Sequence, residues 1–133
     1  MAELDYAFLA DYAAVENGRL TAVGASYTHA SVASLEGSWV TAVAGRLRTQ
    51  VGAEPVRLRI VIGPEEGPIQ FRFESELQPD EHARPYGDGT IGVLFASLFT
   101  LPILVDGMYK CDVYFDDFRV RTLRFEVEVR FDR

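Results

Sequence analysis

The sequence predicts an all-β protein, a single antiparallel β-sandwich of about eight strands with little helix, and three observations carry this prediction. From Leu123 to Phe131, apolar and charged side chains alternate strictly, which places them on opposite faces of a strand. Weaker alternation recurs along most of the chain, and turn residues separate the alternating segments at short, regular intervals. The 133 residues suit one domain, residues 1–133, that needs no disulfide or metal to fold.

Each predicted strand is a segment in which apolar residues recur at every second position. The eight strands are predicted at residues 4–14, 20–25, 39–49, 56–62, 69–77, 91–101, 108–115 and 119–131. The first has an aromatic inner face that includes Tyr6 and Phe8, and Asn17-Gly18 supplies the positive φ angles of a tight hairpin turn to the second. The connection 27–38 has no clear period, and we interpret it as a long crossing loop with room for a short helix.

Charge patterning predicts how the middle strands pair. The turn 63–68 is rich in Gly and Pro and joins the fourth and fifth strands. On their outer face, Arg57 and Arg59 become cross-strand partners of Glu74 and Glu76 if the pair is antiparallel.

The last strands follow from the same patterns. A turn at Asp116-Asp117-Phe118 leads into the eighth strand, where Val120 and Thr122 lie out of phase with Leu123, and this slip of one residue predicts a β-bulge. The apolar parity of the strands predicts one core made of Tyr6, Phe8, Trp39, Ile60, Phe71, Phe73, Val113, Phe125 and Val127.

Composition excludes several function classes. The formal charge of −7 argues against binding nucleic acid or an anionic membrane, since both need a positive field. The single cysteine, Cys111, can form no internal disulfide, which fits a reducing compartment. The acidic start lacks the pattern of a signal peptide, and no uncharged run is long enough for a membrane helix. We therefore expect a cytoplasmic protein.

Each match to a cofactor or metal motif lacks the secondary structure or the set of ligands that such a site requires. Residues 87–92 match G-x-G-x-x-G, but a polar loop precedes them and a short, Pro-ended segment follows, where a dinucleotide site needs a strand and then a helix. Two histidines, His29 and His82, are too few for a three-histidine zinc site. An Asp-rich turn explains Asp116 and Asp117 better than a calcium site does. We predict no metal and no cofactor.

No cysteine or serine in the sequence lies in the setting that a catalytic nucleophile requires. Cys111 lies in phase with Tyr109 and Val113, on the inner face of its strand, and is expected to be buried and inert. No serine lies in a G-x-S-x-G turn. We predict that the protein is not an enzyme.

Four aromatic residues are candidates for a ligand pocket: Tyr6, Tyr12, Tyr27 and Trp39. Aromatic side chains are also the usual filling of a sandwich core, and pockets are few per protein. Both interpretations stay open on the sequence.

The strand 91–101 is apolar on both faces, although only one face can meet the core of an antiparallel sandwich. The second face carries Leu94, Ala96 and Leu98 and must be covered by the connection 27–38 or by another chain, because contiguous exposed apolar patches are uncommon on monomers. The connection is rich in Ala and Ser, so we expect a homodimer with two-fold symmetry through this sheet.

Two segments resemble a family of uncharacterised bacterial proteins of about this length, a domain of unknown function. The opening, Asp5 to Ala13 followed by Asn17-Gly18-Arg19-Leu20, is similar to that family's "DYAxLAD" and "NGxL". The ending, residues 107–127, is similar to its "GxYxF…D…FxV", with Asp117 where the family often has Gly. The resemblance implies a small β-sandwich from a bacterium, of actinobacterial type, and carries no catalytic residue.

Taken together, the sequence predicts a non-enzymatic cytoplasmic β-sandwich that acts as an interaction or assembly module, with a protein as its partner. The alternative is a small-ligand-binding domain whose pocket the aromatic residues line. A deep cavity beside Trp39 and Tyr12 favours the second hypothesis, and a two-fold contact through the strand 91–101 favours the first.

Overall fold

The structure, a computed structural model, describes residues 2–130, and in this range it contains ten β-strands and no helix. The all-β class is therefore confirmed, and no membrane-spanning helix exists among these residues. The predicted end of the last strand at Phe131 lies outside the described residues. The strands are β1 Glu3–Ala10, β2 Tyr12–Glu16, β3 Arg19–Val23, β4 His29–Val32, β5 Gly37–Gln50, β6 Val56–Pro64, β7 Phe71–Leu77, β8 Thr90–Ile103, β9 Gly107–Phe115 and β10 Phe118–Val129.

The ten strands form three sheets, so the prediction of one sandwich of eight strands is wrong in its detail. A three-stranded sheet has the order β1-β5-β8, a five-stranded sheet has the order β4-β10-β9-β6-β7, and β2 and β3 form a sheet of their own. The two larger sheets bury one apolar cluster between them. Each strand contributes every second side chain to this core, as the alternation in the sequence requires.

The predicted first strand is in fact two strands that separate at Asp11, and its face assignment is wrong. Opposite β5, the register shifts between Leu4 and Tyr6, so Asp5 is an extra residue in β1. Such a bulge reverses the face of every residue after it. Tyr6, which we predicted in the core, is therefore 37% exposed, and Phe8 is only half-buried, on the outer side of the sheet.

The connection 27–38 contains a strand instead of a helix. Its segment β4 pairs in parallel with β10, with Ala30 opposite Val127, whereas the other strand pairs of residues 2–130 are antiparallel, as predicted. Ala30 and Val32 point into the core and are buried. A four-residue strand is too short for its period to be recognised in the sequence.

The hairpin of β2 and β3 covers part of the outer face of the three-stranded sheet. Ala13 of β2 joins Ala10, Ala42 and Ala44 in a second buried cluster, which we call the alanine cluster, and Ala96 packs against it. Small side chains let the hairpin lie close to the sheet. The predicted hairpin turn is confirmed, because Asn17 and Gly18 both have positive φ angles.

Three local predictions about the five-stranded sheet are confirmed. In the β6–β7 pair, Arg57 lies opposite Glu76 and Arg59 opposite Glu74, although both arginines approach Asp117 instead. The Asp116-Asp117 turn joins β9 to β10 with two positive φ angles. The register of β10 against β9 shifts between residues 119 and 121, so the predicted bulge exists, but it lies at Val120, before Thr122 and not after it.

The predicted core is partly confirmed. Ile60, Val113, Phe125 and Val127 are fully buried between the two large sheets. Trp39 and Phe71 are half-buried and pack against the same cluster. Phe73 is 38% exposed, and its prediction as a core residue is wrong, because its strand β7 ends a sheet and a groove opens beside it.

Candidate functional site

The candidate site lies where the two large sheets end on the same side of the core. β7 is the last strand of the five-stranded sheet, and β8 is the last strand of the three-stranded sheet. Between these two edges is a groove of about 230 Å³, which we call the edge groove. Its lining residues are Ile60, Ile62, Phe71, Arg72, Phe73, Phe99, Thr100 and Leu101.

The inner part of the edge groove is lined by apolar side chains. Ile60, Ile62 and Leu101 belong to the main core and are buried, so they form its floor. Phe71 and Phe99 are half-buried, one on each edge strand, and form its walls. The groove is thus an opening into the core at a place where neither sheet continues.

Arg72 and Thr100 are the two polar residues among those that line the edge groove, and strand alternation places their side chains on the outer faces of β7 and β8. Arg72 is exposed and lies opposite Val61 in the β6–β7 register, so no carboxylate faces it across the strands. Within residues 2–130, no carboxylate comes within 4 Å of its guanidinium nitrogens. In contrast, Arg59 of the neighbouring strand lies 4.2 Å above the Tyr114 ring and 3.7 Å from Asp117. Arg72 thus has no ion-pair partner among the described residues, and it shares the outer face of β7 with Glu74 and Glu76.

The two edge strands differ in charge. β7 carries Arg72, Glu74 and Glu76, which is the usual protection of an edge strand against pairing with other chains. β8 has fourteen residues and no Asp, Glu, Lys or Arg among them. Its ladder partner is β5 on one side, and no described strand pairs with its other side. The long edge of β8 therefore lacks charged protection.

Two of the four predicted pocket residues meet, but they form a packed network. The Tyr27 hydroxyl lies 2.6 Å from Thr41 Oγ1, and Trp39 donates its indole N–H to that hydroxyl at 3.2 Å. Thr41 in turn donates to the carbonyl oxygen of Ala10. Burial raises the pKa of Tyr27 above its ordinary value. The network ties the residues before β4 to β5 and leaves the phenol protonated near neutral pH.

The other two predicted pocket residues lie elsewhere. Tyr6 stacks on Phe8, with ring centroids 6.2 Å apart, and the Arg46 guanidinium lies 5.4 Å from its centroid. Tyr12 is exposed on the separate β2–β3 sheet. No ring stacking among the described residues joins Tyr6 or Tyr12 to the Tyr27–Trp39 pair. The structure therefore does not bring the four together around one cavity.

The predicted oligomer surface is partly covered within the chain. Leu94 and Ala96 are half-buried on the outer face of β8, and Ala96 packs against the alanine cluster under the hairpin. Leu98 is 52% exposed, and Val40 of the adjacent strand, its diagonal neighbour, is 53% exposed. The β2–β3 hairpin, and not the connection 27–38, covers part of this face within the chain, and the cover stops before Leu98; the homodimer that we expected stays a prediction.

The sequence motifs find ordinary structural roles. β8 begins at Thr90, inside the G-x-G-x-x-G segment, so a strand follows the glycines where a dinucleotide site needs a helix. Cys111 is fully buried, and burial raises the pKa of its thiol to about 12. His82 lies against the hairpin turn at Gly18. Among the described residues, no group of three or more His, Cys, Asp and Glu side chains could hold a metal ion.

The edge groove was missed because it depends on strand order, which the sequence does not specify. One signal was present: β7 is the strand with three charged side chains in seven residues, and β8 is apolar on both faces. The chain matches no protein-family model, and a search of curated proteins finds no match for it either. The resemblance to an uncharacterised bacterial family stays a prediction.

Proposed function

We propose that this protein is a non-enzymatic interaction module that pairs with a second copy of itself along the free edge of β8. The observation that carries the proposal is an edge strand of fourteen residues without a single charge. Edge strands of stable monomers are usually short, charged, bulged or covered. The edge of β8 carries no charge, and its only proline is Pro102 near its end, so the stretch before Pro102 is suited to accept another strand.

The self-association follows from the symmetry of such a contact. In a two-fold dimer the same surface faces itself, so a charged edge would place like charges opposite each other. β8 has none, and two antiparallel copies would join the three-stranded sheets into one continuous sheet of six. Leu98 and Val40, exposed beside this edge, would lose water in the same contact.

The net charge supports a contact made by backbone hydrogen bonds and apolar side chains. Each chain carries a formal charge of −7, so two copies repel each other at long range. Salt screens this repulsion, and the screening length falls from roughly 30 Å at 0.01 M to about 8 Å at 0.15 M. We expect the dimer to become tighter as salt is added, whereas an interface built on ion pairs would weaken.

The proposal includes a cytoplasmic location and a protein partner. Its support is one buried cysteine without a partner for a disulfide, which is typical of reducing compartments. Neither a nucleic acid nor an anionic membrane suits a chain of this charge.

Sedimentation velocity from about 1 to about 200 μM tests the proposal, because this range covers weak and moderate association. We expect a dimer in the wild type and an association at least about tenfold weaker in Leu98→Lys, since the substitution introduces like charges across the contact. The control is Phe118→Lys, an exposed apolar residue on β10, which belongs to the other large sheet. A wild type that stays monomeric, or equal effects of both variants, would contradict the proposal.

Hydrogen exchange separates edge pairing from packing through the sheet face. An added strand protects alternate amides of β8 in a concentration-dependent way, because each new ladder bond removes one N–H from water. Face packing through Leu98 protects side chains and leaves these amides unchanged.

A further inference from the structure

We infer that two copies of this chain pair along β8 in one register, an arrangement that rests on the proposed self-association and specifies its contact. The two-fold axis passes at Leu98, and Ala96 of each chain lies opposite Thr100 of the partner subunit. Three features of the described chain carry this register. They are the direction of the β8 backbone groups, the proline near the end of the strand and the loop beside its beginning.

The backbone groups of β8 point alternately towards β5 and towards the free edge, as in any antiparallel ladder. The carbonyl oxygen of Gly89, directly before β8, accepts from the N–H of Val51. At the other end, the carbonyl oxygen of Ile103 accepts from the N–H of Glu36. Both donors flank β5, and the β5–β8 register contains no shift. The odd-numbered residues of β8 therefore bond to β5, and the even-numbered residues present their N–H and C=O groups at the edge.

The stretch of β8 that can pair ends before Pro102. This residue is even-numbered, so its backbone nitrogen faces the free edge, where a proline offers no N–H. Prolines in sheets are found at such edge positions because no ladder bond is lost there. Within a ladder between two copies, the proline ring would stand where a donor is needed.

The loop between β7 and β8 limits the stretch at its other end. The N–H of Tyr86 donates to the carbonyl oxygen of Thr90 at 2.8 Å, so the first edge position already has a partner. Further along, Ala83 of the loop lines a small cavity together with Val93 and Leu94. These two strand residues belong to opposite faces of β8, so the cavity lies at the edge between the faces. The chain itself thus flanks the edge as far as Leu94.

Three edge positions remain between these limits: Ala96, Leu98 and Thr100. Among the described residues, no main-chain hydrogen bond reaches them from the edge side. Two antiparallel copies use all three positions only when Leu98 faces Leu98 of the partner subunit, and each facing pair then exchanges two hydrogen bonds. The same register places Leu94 opposite Pro102 of the partner subunit. The two positions that are unsuited to pairing therefore face each other and do not interrupt the ladder.

The side chains fit this register on both faces of the sheet. On the outer face, the two Leu98 side chains, each 52% exposed in the single chain, lie side by side at the axis. On the inner face, Phe99 lies opposite Ser97 of the partner subunit. Because Phe99 is a wall of the edge groove, the second copy borders the groove in the dimer.

Disulfide cross-linking of cysteine variants tests the register. Leu98→Cys should give a covalent dimer on mild oxidation, because Cα atoms of a hydrogen-bonded pair are about 5.5 Å apart, within the range of a disulfide. Ala96→Cys and Thr100→Cys should each fail to cross-link alone, since equivalent residues are displaced by roughly 13 Å along the strand. A mixture of these two variants should cross-link. The native Cys111 is buried, and Phe118→Cys, exposed on the other large sheet, is the collision control, which should react at least about tenfold more slowly than Leu98→Cys.

Sedimentation of the reduced samples separates this inference from the proposed self-association. A dimer that cross-links through Ala96→Cys alone, or equally at all three positions, overturns the register and leaves self-association standing. A wild type that stays monomeric overturns both.

Hydrogen exchange of the unsubstituted protein gives a second readout that needs no variant. The amides of Ala96, Leu98 and Thr100 should exchange more slowly as the concentration rises, because each becomes a ladder donor. The amide of Gly92 also faces the edge, but it lies beside the loop and should not change. A dimer in which Gly92 is protected as well, or in which the other three amides are unchanged, overturns the register.

Discussion

Replacing Phe125 by alanine should remove a large part of the stability of this fold. The Phe125 side chain is 1% exposed and lies between the two large sheets. Its ring meets Tyr109 at a centroid distance of 5.4 Å and Tyr27 at 5.7 Å, the latter edge to face. Emptying a buried phenylalanine site costs about 3–5 kcal/mol. We expect about 4 kcal/mol, because strands held on both sides by ladder bonds collapse poorly around a cavity.

Urea unfolding followed by fluorescence measures this loss. Trp39 is the only tryptophan, and it lies in edge-to-face contact with Tyr27, so its emission reports the same region. The midpoint should fall while the slope of the unfolding free energy with urea stays the same. Phe118→Ala, on the same strand but 71% exposed, is the matched control and should cost less than about 0.5 kcal/mol. A loss below about 1 kcal/mol for Phe125→Ala, or similar losses for both variants, would refute the burial argument.

Three further outcomes follow from single side chains. Gly45→Ala should destabilise the fold by more than about 2 kcal/mol in the same urea assay, because the added Cβ would overlap the carbonyl oxygen of Tyr6, whose backbone is fixed in the sheet. Tyr27→Phe should cost about 1–2 kcal/mol, because it leaves the buried Thr41 with one partner fewer. Cys111 should resist thiol reagents until the protein unfolds; since its pKa rises from 9.0 to about 12 on folding, its contribution to the free energy of unfolding should be constant below about pH 9 and should lower that free energy as the pH rises from 9 towards 12. Rapid labelling without denaturant, or stability that increases above pH 9, would contradict the burial of this thiol.

Local turn chemistry allowed several parts of the fold to be predicted from the sequence. Asn17-Gly18 and Asp116-Asp117 adopt positive φ angles, and each connects two strands in the predicted place. The pairing of β6 with β7 followed from opposite charges at matching positions. These features depend on residues close together in the chain, and the sequence carries them directly.

The prediction of which face of β1 is buried failed because the sequence pattern fits either face. In β1, Tyr6 and Phe8 share one parity while Ala7 and Leu9 share the other, and both sets are apolar. The bulge at Asp5 decides between them, and Asp5 is 2.8 Å from Arg46 in the ion pair that accompanies it. The carboxylate at this position looks like any exposed residue of a strand until its partner is known.

The edge groove needed information that alternation does not contain. Its position follows from β7 and β8 being the last strands of their sheets, and strand order is set by contacts between distant parts of the chain. The aromatic residues that we considered for a pocket do not line the edge groove, and two of them, Tyr27 and Trp39, form the hydrogen-bonded network beside the core. The groove walls, Phe71 and Phe99, looked like ordinary core residues because they alternate as core residues do.

The buried part of the contact between the β2–β3 hairpin and the three-stranded sheet is made of alanines, with Phe8 and Leu20 half-buried at its border. Methyl groups bury little area, so the contact between Ala13 and the sheet contributes much less than a comparable layer of leucine or phenylalanine. The hairpin should therefore open with a far smaller free energy than global unfolding, and its amides should exchange first. When it opens, Ala42, Ala44 and Ala96 join Leu98 on one uncovered strip beside the free edge of β8. Opening of the hairpin would therefore increase the apolar surface that the sheet offers to a neighbour.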